Sequence, residues 1–127
     1  MNRLSDIRER LLIVDDVPEV LHGIERLLRA DGYSIDGAQS EERAVEYALF
    51  RPPRLILVNL EGLPNAVMAT ARRIRNRAKL DAGVPIVLFC AEWMAEGEEV
   101  DLGDNVYAIQ PDNFDHLRDL LVRLLRC

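Results

Sequence analysis

Two short apolar runs, each ending in polar side chains, set the strongest limit on how this chain can fold. Residues 11–14 (Leu-Leu-Ile-Val) precede Asp15 and Asp16, and residues 55–58 (Leu-Ile-Leu-Val) precede Asn59. Continuous apolar runs of this length are typical of strands that are buried on both faces of a parallel sheet. Because neighbouring parallel strands end at the same edge, the pattern predicts one pocket that contains Asp15, Asp16 and Asn59.

The rest of the chain alternates between strand-like runs and longer helix-like segments. This alternation predicts an α/β fold: a doubly wound, five-stranded parallel sheet with five helices in three layers. Pro18 is placed to begin the first helix, and Ser40 is placed to cap the second. The predicted strands are residues 11–14, 33–38, 54–59, 84–90 and 105–110, and the fourth helical segment is a short, acidic helix or turn over residues 91–101.

Length and composition predict one globular domain over residues 1–127, with residues 1–10 as an N-terminal extension. The chain is 49% apolar and 30% charged, and its net charge of -6 argues against nucleic-acid binding. It contains neither a bilayer-spanning apolar stretch nor a signal peptide, so we expect a cytoplasmic protein without a membrane partner. Cys90 and Cys127 lack the spacing of a zinc site or a disulfide framework.

In the order and spacing of these motifs, the chain resembles the receiver domain of bacterial two-component response regulators, including the chemotaxis regulators. The resemblance covers essentially the whole sequence and implies a flavodoxin-like fold. It implies that a histidine kinase transfers a phosphoryl group to an aspartate at the end of the third strand. The motifs that carry the resemblance are Asp15-Asp16, Asn59, Arg72-Arg73-Ile74-Arg75, the run from Val84 to Ala91, and the run from Gly103 through Tyr107 to Gln110-Pro111.

The resemblance fails at the positions that carry out the family's chemistry. Asn59 stands at the phosphoacceptor position, Cys90 at the position of the phosphoryl-binding hydroxyl, and Gln110 at the position of the lysine. A receiver pocket with three carboxylates and one ammonium has a formal charge of -2, and two carboxylates with two amides keep that balance. The joint replacement therefore predicts a pocket that stays formed but is inactive. Packing is the favoured role of Cys90, because an acidic pocket raises the pKa of a thiol.

The metal-binding acid pair and the aromatic switch position of the family are retained. Asp15 and Asp16 match the acid pair, and Tyr107 matches the switch residue. Mg²⁺ prefers several oxygen ligands in octahedral geometry, so we expect no cofactor beyond weak Mg²⁺ binding by these two acids. Both acids also suit the start of the helix at Pro18, whether or not a metal binds.

The leading hypothesis is an atypical receiver domain that acts in bacterial signal transduction as a phosphorylation-independent protein–protein interaction module and not as an enzyme. The alternative is an active phosphorelay receiver that uses Mg²⁺ and accepts a phosphoryl group on Asp15, Asp16 or Glu61. A third option is a flavodoxin-like FMN protein or a small hydrolase that uses Cys90. The acids of the first loop disfavour flavin, because they would repel its phosphate.

The resemblance also implies where partners bind: the face made by helix 4, strand 5 and helix 5. Trp93, Met94 and Tyr107 are the candidate contact residues on this face, and Trp93 and Met94 are predicted to be exposed. A covering role for both over the apolar side of the short helix is equally consistent. The expected partners are other signalling proteins, namely a histidine kinase, an output protein or a second copy. The arginines of residues 72–77 are expected to form a solvated face, and His116 is expected at the surface.

Overall fold

The computed structural model describes residues 9–89 and 94–126. Within these ranges the chain forms six strands and four helices. No helix in the described part of the chain is both long enough and apolar enough to cross a bilayer. The elements are β1 (Arg10–Asp15), α1 (Pro18–Ala30), β2 (Ser34–Ala38), α2 (Glu41–Phe50), β3 (Leu55–Asn59), α3 (Pro64–Arg77), β4 (Ile86–Phe89), β5 (Glu98–Gly103), β6 (Val106–Gln110) and α4 (Phe114–Leu125).

The six strands form one sheet in the order β2-β1-β3-β4-β6-β5. All neighbouring strands are parallel except β5, which pairs antiparallel with β6. Alternate residues of the central strands face opposite helix layers. Leu12 and Ile56 belong to the core beneath α2 and α3, whereas Leu11 and Leu55 belong to the core beneath α1 and α4. The predicted doubly wound, three-layer α/β architecture is confirmed.

Local sequence signals account for where the helices begin. Pro18 and Pro64 are the first residues of α1 and α3, where a missing backbone N–H costs nothing. The Ser40 hydroxyl caps α2 by accepting a hydrogen bond from the backbone N–H of Arg43 at 3.2 Å. The Asn113 side chain caps α4 by accepting one from the N–H of His116 at 3.0 Å. The predicted starts at Pro18 and Ser40 are therefore correct.

The prediction of a fifth helix is wrong for the residues that the structure describes. Of the segment predicted as an acidic helix or turn, residues 94–97 form a bend and a turn, and the chain then enters strand β5 (Glu98–Gly103). The physical reason is a tight hairpin turn between β5 and β6, in which Asp104 and Asn105 have φ values of 56° and 59°. Asp and Asn tolerate this left-handed conformation better than other residues with a side chain.

A buried arginine holds this hairpin against α3. Arg75 is only 3% exposed, although its neighbours in the sequence predicted a solvated arginine face. Its guanidinium donates to the backbone carbonyl of Val84 at 3.1 Å and to that of Asp104 at 2.8 Å. It also lies 2.9 Å from the Asp104 carboxylate, and the Asn105 amide donates to the carbonyl of Gly83 at 2.9 Å. The turn is thus fixed by contacts that are distant in sequence.

Candidate functional site

The ends of β1 and β3 bring two of the predicted pocket residues into direct contact. In the parallel register of these strands, Asp15 lies opposite Asn59. The Asn59 side-chain amide donates a hydrogen bond of 2.9 Å to Oδ2 of Asp15. Asp15 is fully buried and Asn59 is half-buried. The phosphoacceptor position of the resemblance is therefore filled by a donor that is bonded to the first acid of the pair.

The second carboxylate oxygen of Asp15 is also engaged. Oδ1 accepts a hydrogen bond of 2.9 Å from the backbone N–H of Val17, the residue that immediately precedes α1. A buried carboxylate is costly unless its oxygens find donors, and bonds from N–H groups to an ionised oxygen are stronger than neutral ones. Asp15 thus joins the start of α1 to the end of β3 through two N–H donors that carry no charge.

The other acids of the predicted site face solvent. Asp16 and Glu61 are both exposed, whereas Asp15 is buried. In residues 9–89 and 94–126, no group of three or more His, Cys, Asp or Glu side chains is arranged to hold a metal ion. An Mg²⁺ ion prefers several oxygen ligands, and both oxygens of Asp15 already accept N–H groups. The residues present therefore do not fit a strong Mg²⁺ site in this arrangement.

The structure describes two of the three remaining predicted pocket residues, and neither of these two belongs to the contact between Asp15 and Asn59. Gln110 is half-buried at the end of β6, and its backbone carbonyl accepts a hydrogen bond from the N–H of Gly97 at 2.6 Å. Tyr107 is half-buried in the middle of β6, paired with Val87 on one side and with Asp101 on the other. Cys90 lies outside the described residues. The switch roles of these three side chains stay predictions.

The predicted partner face is built differently from what the resemblance implied. The predicted face included a fourth helix before the last strand. This prediction is wrong for the described residues, because β5 lies beside β6. Met94 is half-buried and packs against the core on the side of α2 and α3, instead of being exposed. Trp93 lies outside the described residues. The face next to Tyr107 is therefore formed by β5, β6 and α4.

One charged cluster on this face was missed by the sequence analysis. Glu99 of β5 accepts a hydrogen bond from Arg123 of α4, and its Oε1 lies 2.8 Å from Nε2 of His116. Nδ1 of His116 lies 3.6 Å from the Asp112 carboxylate. Hydrogen bonding from Arg123, and then from His116, holds the pKa of Glu99 below its usual value. The spacing of residues 112 and 116 hinted at a pair, but Glu99 could be added only once β5 was known to be a strand.

No family model matches the chain. It is 31% identical over 109 residues to the transcriptional regulatory protein PrrA of Mycobacterium leprae, and the aligned region covers 80% of this chain and 43% of PrrA. It is 27% identical over 108 residues to the transcriptional regulatory protein DltR of Streptococcus agalactiae, and the aligned region covers 85% of this chain and 48% of DltR. The chain thus spans about half the length of the curated relatives it matches.

Solved structures with a similar fold cover nearly the whole chain. The response regulator TrrA of Thermotoga maritima, solved with Mg²⁺ and BeF, is 25% identical and has a TM-score of 0.67 over 91% of this chain and 98% of its own. A response regulator of Chloroflexus aurantiacus is 24% identical, with a TM-score of 0.70 over 95% of this chain and 100% of its own. The receiver domain of a Pseudomonas aeruginosa sensor histidine kinase, solved with a magnesium ion in its active-site cleft, is also 24% identical, with a TM-score of 0.69 over 95% and 100%.

The chain is a flavodoxin-like, doubly wound α/β domain, as its strand order and the helices on both faces of the sheet show. The structural neighbours and the curated relatives together support a more specific class, the response regulator receiver domain. The expected fold is confirmed, apart from the additional strand β5 and the helix count.

Proposed function

We propose that this chain is a phosphorylation-independent receiver domain that acts as a protein–protein interaction module in bacterial two-component signalling. The observation that carries the proposal is the hydrogen bond from the Asn59 amide to the buried Asp15 carboxylate. It makes Asn59 part of the structure of the pocket, at the position where the resemblance expects the phosphoacceptor. Recognition of a partner by shape and charge, without phosphoryl transfer, is the function that this arrangement supports best.

The chemistry of the two side chains explains why transfer is disfavoured. An acyl phosphate forms when a carboxylate oxygen attacks phosphorus, and the nitrogen lone pair of an amide is delocalised into its carbonyl. The Asn59 amide is oriented as a donor toward Asp15, and both oxygens of Asp15 are occupied as acceptors. A phosphoryl group approaching the pocket would meet no carboxylate at position 59, and we propose no enzymatic activity for the domain.

Only weak Mg²⁺ binding is part of the proposal. An ion held by Asp15 and Asp16 would have to displace the Asn59 amide from Asp15 or share its oxygen. The exposed position of Asp16 leaves its carboxylate available for such an ion. Two carboxylates leave most of the octahedral positions of Mg²⁺ to water. We therefore expect binding without the conformational response of a working receiver.

The partners we propose are other signalling proteins of the cytoplasm: a histidine kinase, an output protein or a second copy. TrrA of Thermotoga maritima, which is 25% identical to this chain, has been solved in complex with the histidine kinase ThkA. The net charge of -6 speaks against direct binding of nucleic acid by this domain. No membrane partner is proposed.

A phosphorylation assay tests the proposal. The purified protein would be incubated with Mg²⁺ and acetyl phosphate or phosphoramidate, and covalent phosphate would be measured by intact mass spectrometry. The expected result is no phosphorylation of the natural chain. Asn59→Asp should also be labelled poorly, because Gln110 cannot supply the charge-assisted contact of a lysine.

The variants Asp16→Asn and Glu61→Gln serve as controls in the same assay. If the natural chain takes up phosphate and one of these variants or peptide mapping places it on Asp15, Asp16 or Glu61, the domain is an active phosphorelay receiver with a non-standard acceptor. That outcome would overturn the proposal.

A further inference from the structure

Strand β5 lies at the edge of the sheet, and most of its residues are exposed. Four of its residues in a row, Glu98 to Asp101, are exposed, and the apolar Val100 is 39% exposed. On its inner side β5 pairs with β6, and in the described part of the chain no strand follows it on the outer side. The outer side of such a strand presents backbone N–H and C=O groups that can pair with another chain.

The opposite edge of the sheet is protected in a way that β5 is not. In β2 the backbone N–H of Ser34 donates to the carbonyl of Glu9, so the peptide groups of Ser34 face β1. Since peptide groups alternate along a strand, the carbonyl of Ile35 points away from the sheet. The guanidinium of Arg29 donates to this carbonyl at 3.2 Å. Most of β2 is also buried, whereas most of β5 is exposed.

The side chains of β5 show which kind of chain its edge fits. Glu99 is compensated by Arg123 and His116 of α4. Glu98 accepts a hydrogen bond only from the N–H of Ala95 and Asp101 only from the N–H of Gly103, among the described residues. Neither carboxylate therefore has a cationic partner in that part of the chain. They lie on opposite faces of the strand, on either side of Val100.

We propose that the outer edge of β5 binds an extended, basic segment of a partner protein by strand addition. Backbone hydrogen bonds to β5 provide the affinity, and Lys or Arg side chains opposite Glu98 and Asp101 provide the selectivity. A small apolar side chain of the partner packs on Val100. This inference rests on the proposed interaction function and identifies the surface and the chemistry of the partner.

A second copy of this chain fits the edge less well than a basic segment does. Antiparallel pairing of two β5 strands about Val100 places Glu99 of one copy opposite Asp101 of the other, twice. Like charges directly opposite one another destabilise a strand pair. Each copy also has a net charge of -6. Acidic side chains on an open edge thus oppose self-association while they attract a basic chain.

The test uses ¹⁵N-labelled protein without any phosphoryl donor, so that its outcome is independent of the phosphorylation assay. The probe is the peptide Thr-Lys-Val-Thr-Lys-Thr-Lys, in which antiparallel pairing places the first Lys opposite Asp101, Val opposite Val100 and the second Lys opposite Glu98. Two control peptides have the same length: one replaces the basic residues by Glu, and one keeps the sequence but is N-methylated at alternate residues. Binding of the basic peptide should shift the amides of residues 98–103 and slow their hydrogen exchange. Neither control should do so.

A pair of matched variants tests the role of charge without altering the turn. Glu98→Gln/Asp101→Asn keeps the acceptor oxygens for Ala95 and Gly103 but removes both charges, and should weaken peptide binding about fivefold. Glu19→Gln/Glu46→Gln makes the same change of net charge at exposed positions away from β5 and should leave the affinity unchanged.

Three outcomes would overturn the inference. Equal binding of the N-methylated peptide would show attraction by charge without strand addition. Shifts centred on another surface would place the docking site elsewhere. Concentration-dependent shifts of β5 without peptide would identify a second copy as the occupant. A failure of this test would leave the phosphorylation-independent function intact, and phosphate uptake would leave the β5 surface intact.

Discussion

The pocket at the ends of β1 and β3 and the hairpin of β5 and β6 each depend on one buried charged side chain, but they use it differently. Asp15 is fully buried and holds two neutral N–H donors, from Asn59 and Val17. Arg75 is 3% exposed and holds two backbone carbonyls together with the carboxylate of Asp104. Asp15 thus stabilises the pocket between β1, β3 and α1, and Arg75 stabilises the hairpin next to an exposed strand.

The difference has a functional consequence. A receiver pocket depends on carboxylates that are available to a metal and a phosphoryl group, whereas the Asp15 carboxylate accepts a hydrogen bond from the Asn59 amide. The hairpin that Arg75 supports replaces the expected fourth helix with strand β5 and adds an open sheet edge. We propose that the pocket no longer accepts a chemical input and that the hairpin provides a binding surface.

The largest effect is expected from Arg75→Ala. The variant leaves the carbonyls of Val84 and Asp104 without their donor and should lower the free energy of unfolding by about 3 kcal/mol. Urea unfolding measures the loss, and hydrogen exchange should show it most strongly in β5 and β6. Arg72→Ala is the control, because Arg72 is partly exposed and lies 3.4 Å from the same carboxylate. It should cost less than about 1 kcal/mol. Equal costs would contradict an organising role for Arg75.

Asn59→Asp should have the next largest effect, because it replaces a hydrogen bond by two adjacent carboxylates. Two like charges about 4 Å apart cost about 4 kcal/mol at an effective dielectric of 20, and relaxation should leave a loss of about 2 kcal/mol at neutral pH without metal. The close pair raises one apparent pKa, so the loss should shrink as the pH falls and a proton is shared.

Asn65→Asp is the matched control for this variant. It adds the same charge at an exposed position in the first turn of α3, where an acid is favourable. Chemical denaturation of both variants between neutral and acidic pH makes the comparison. A stable Asn59→Asp variant with no pH dependence would show that Asp15 and Asn59 are less closely coupled than the structure indicates.

A smaller effect is expected at the turn of the hairpin. Asn105 has a φ of 59° and donates to the carbonyl of Gly83, so Asn105→Val combines backbone strain with a lost hydrogen bond. Asn105→Gly loses the hydrogen bond alone. The valine variant should be less stable than the glycine variant by about 1–2 kcal/mol in urea unfolding. Equal stability would indicate that the turn relaxes to another conformation.

The smallest effect concerns an ion cluster at the surface between α2 and α3. Hydrogen bonding from Arg73, and then from Arg77, lowers the pKa of Glu41 to about 2. Because the folded pKa lies below the ordinary glutamate pKa of 4.5, the stabilisation is present above pH 4.5 and is lost as the pH falls toward about 2. Glu41→Gln should remove this part of the pH dependence.

Glu46→Gln is the control for the surface cluster, since the Glu46 carboxylate is exposed and lies 3.6 Å from Arg43. Its effect on the slope of stability between pH 4.5 and 2 should be smaller than that of Glu41→Gln. An NMR titration of the Glu41 carboxyl carbon measures the pKa directly, and an ordinary value would contradict the ion cluster.

The parts of the fold that were predictable are those in which local sequence and burial agree. The runs that became β1 and β3 are apolar throughout and fully buried, so their positions and their common edge followed from pattern alone. The contact of Asp15 with Asn59 followed from that edge. The hydrogen bond from Val17 and the outward position of Asp16 depend on the conformation of the loop before α1, which no periodicity encodes.

The hairpin was less predictable because its determinants are distant in sequence. A turn signal was present in Gly103-Asp104-Asn105, between a partly alternating acidic segment and an apolar run. The regular alternation of strand-like and helix-like segments instead predicted a short helix or turn over residues 91–101. The burial of Arg75 could not be anticipated, because its partners Val84 and Asp104 come from two different loops.

The proposed function requires a pocket that is structural and does not respond to a phosphoryl group. An amide NMR titration with Mg²⁺, and then with Mg²⁺ and beryllofluoride, tests it most directly. We expect at most small Mg²⁺ shifts near Asp15 and Asp16 and no further change when beryllofluoride is added. Shifts at residues 15, 16 and 59 that spread to Tyr107 with beryllofluoride would show an active switch and contradict the account.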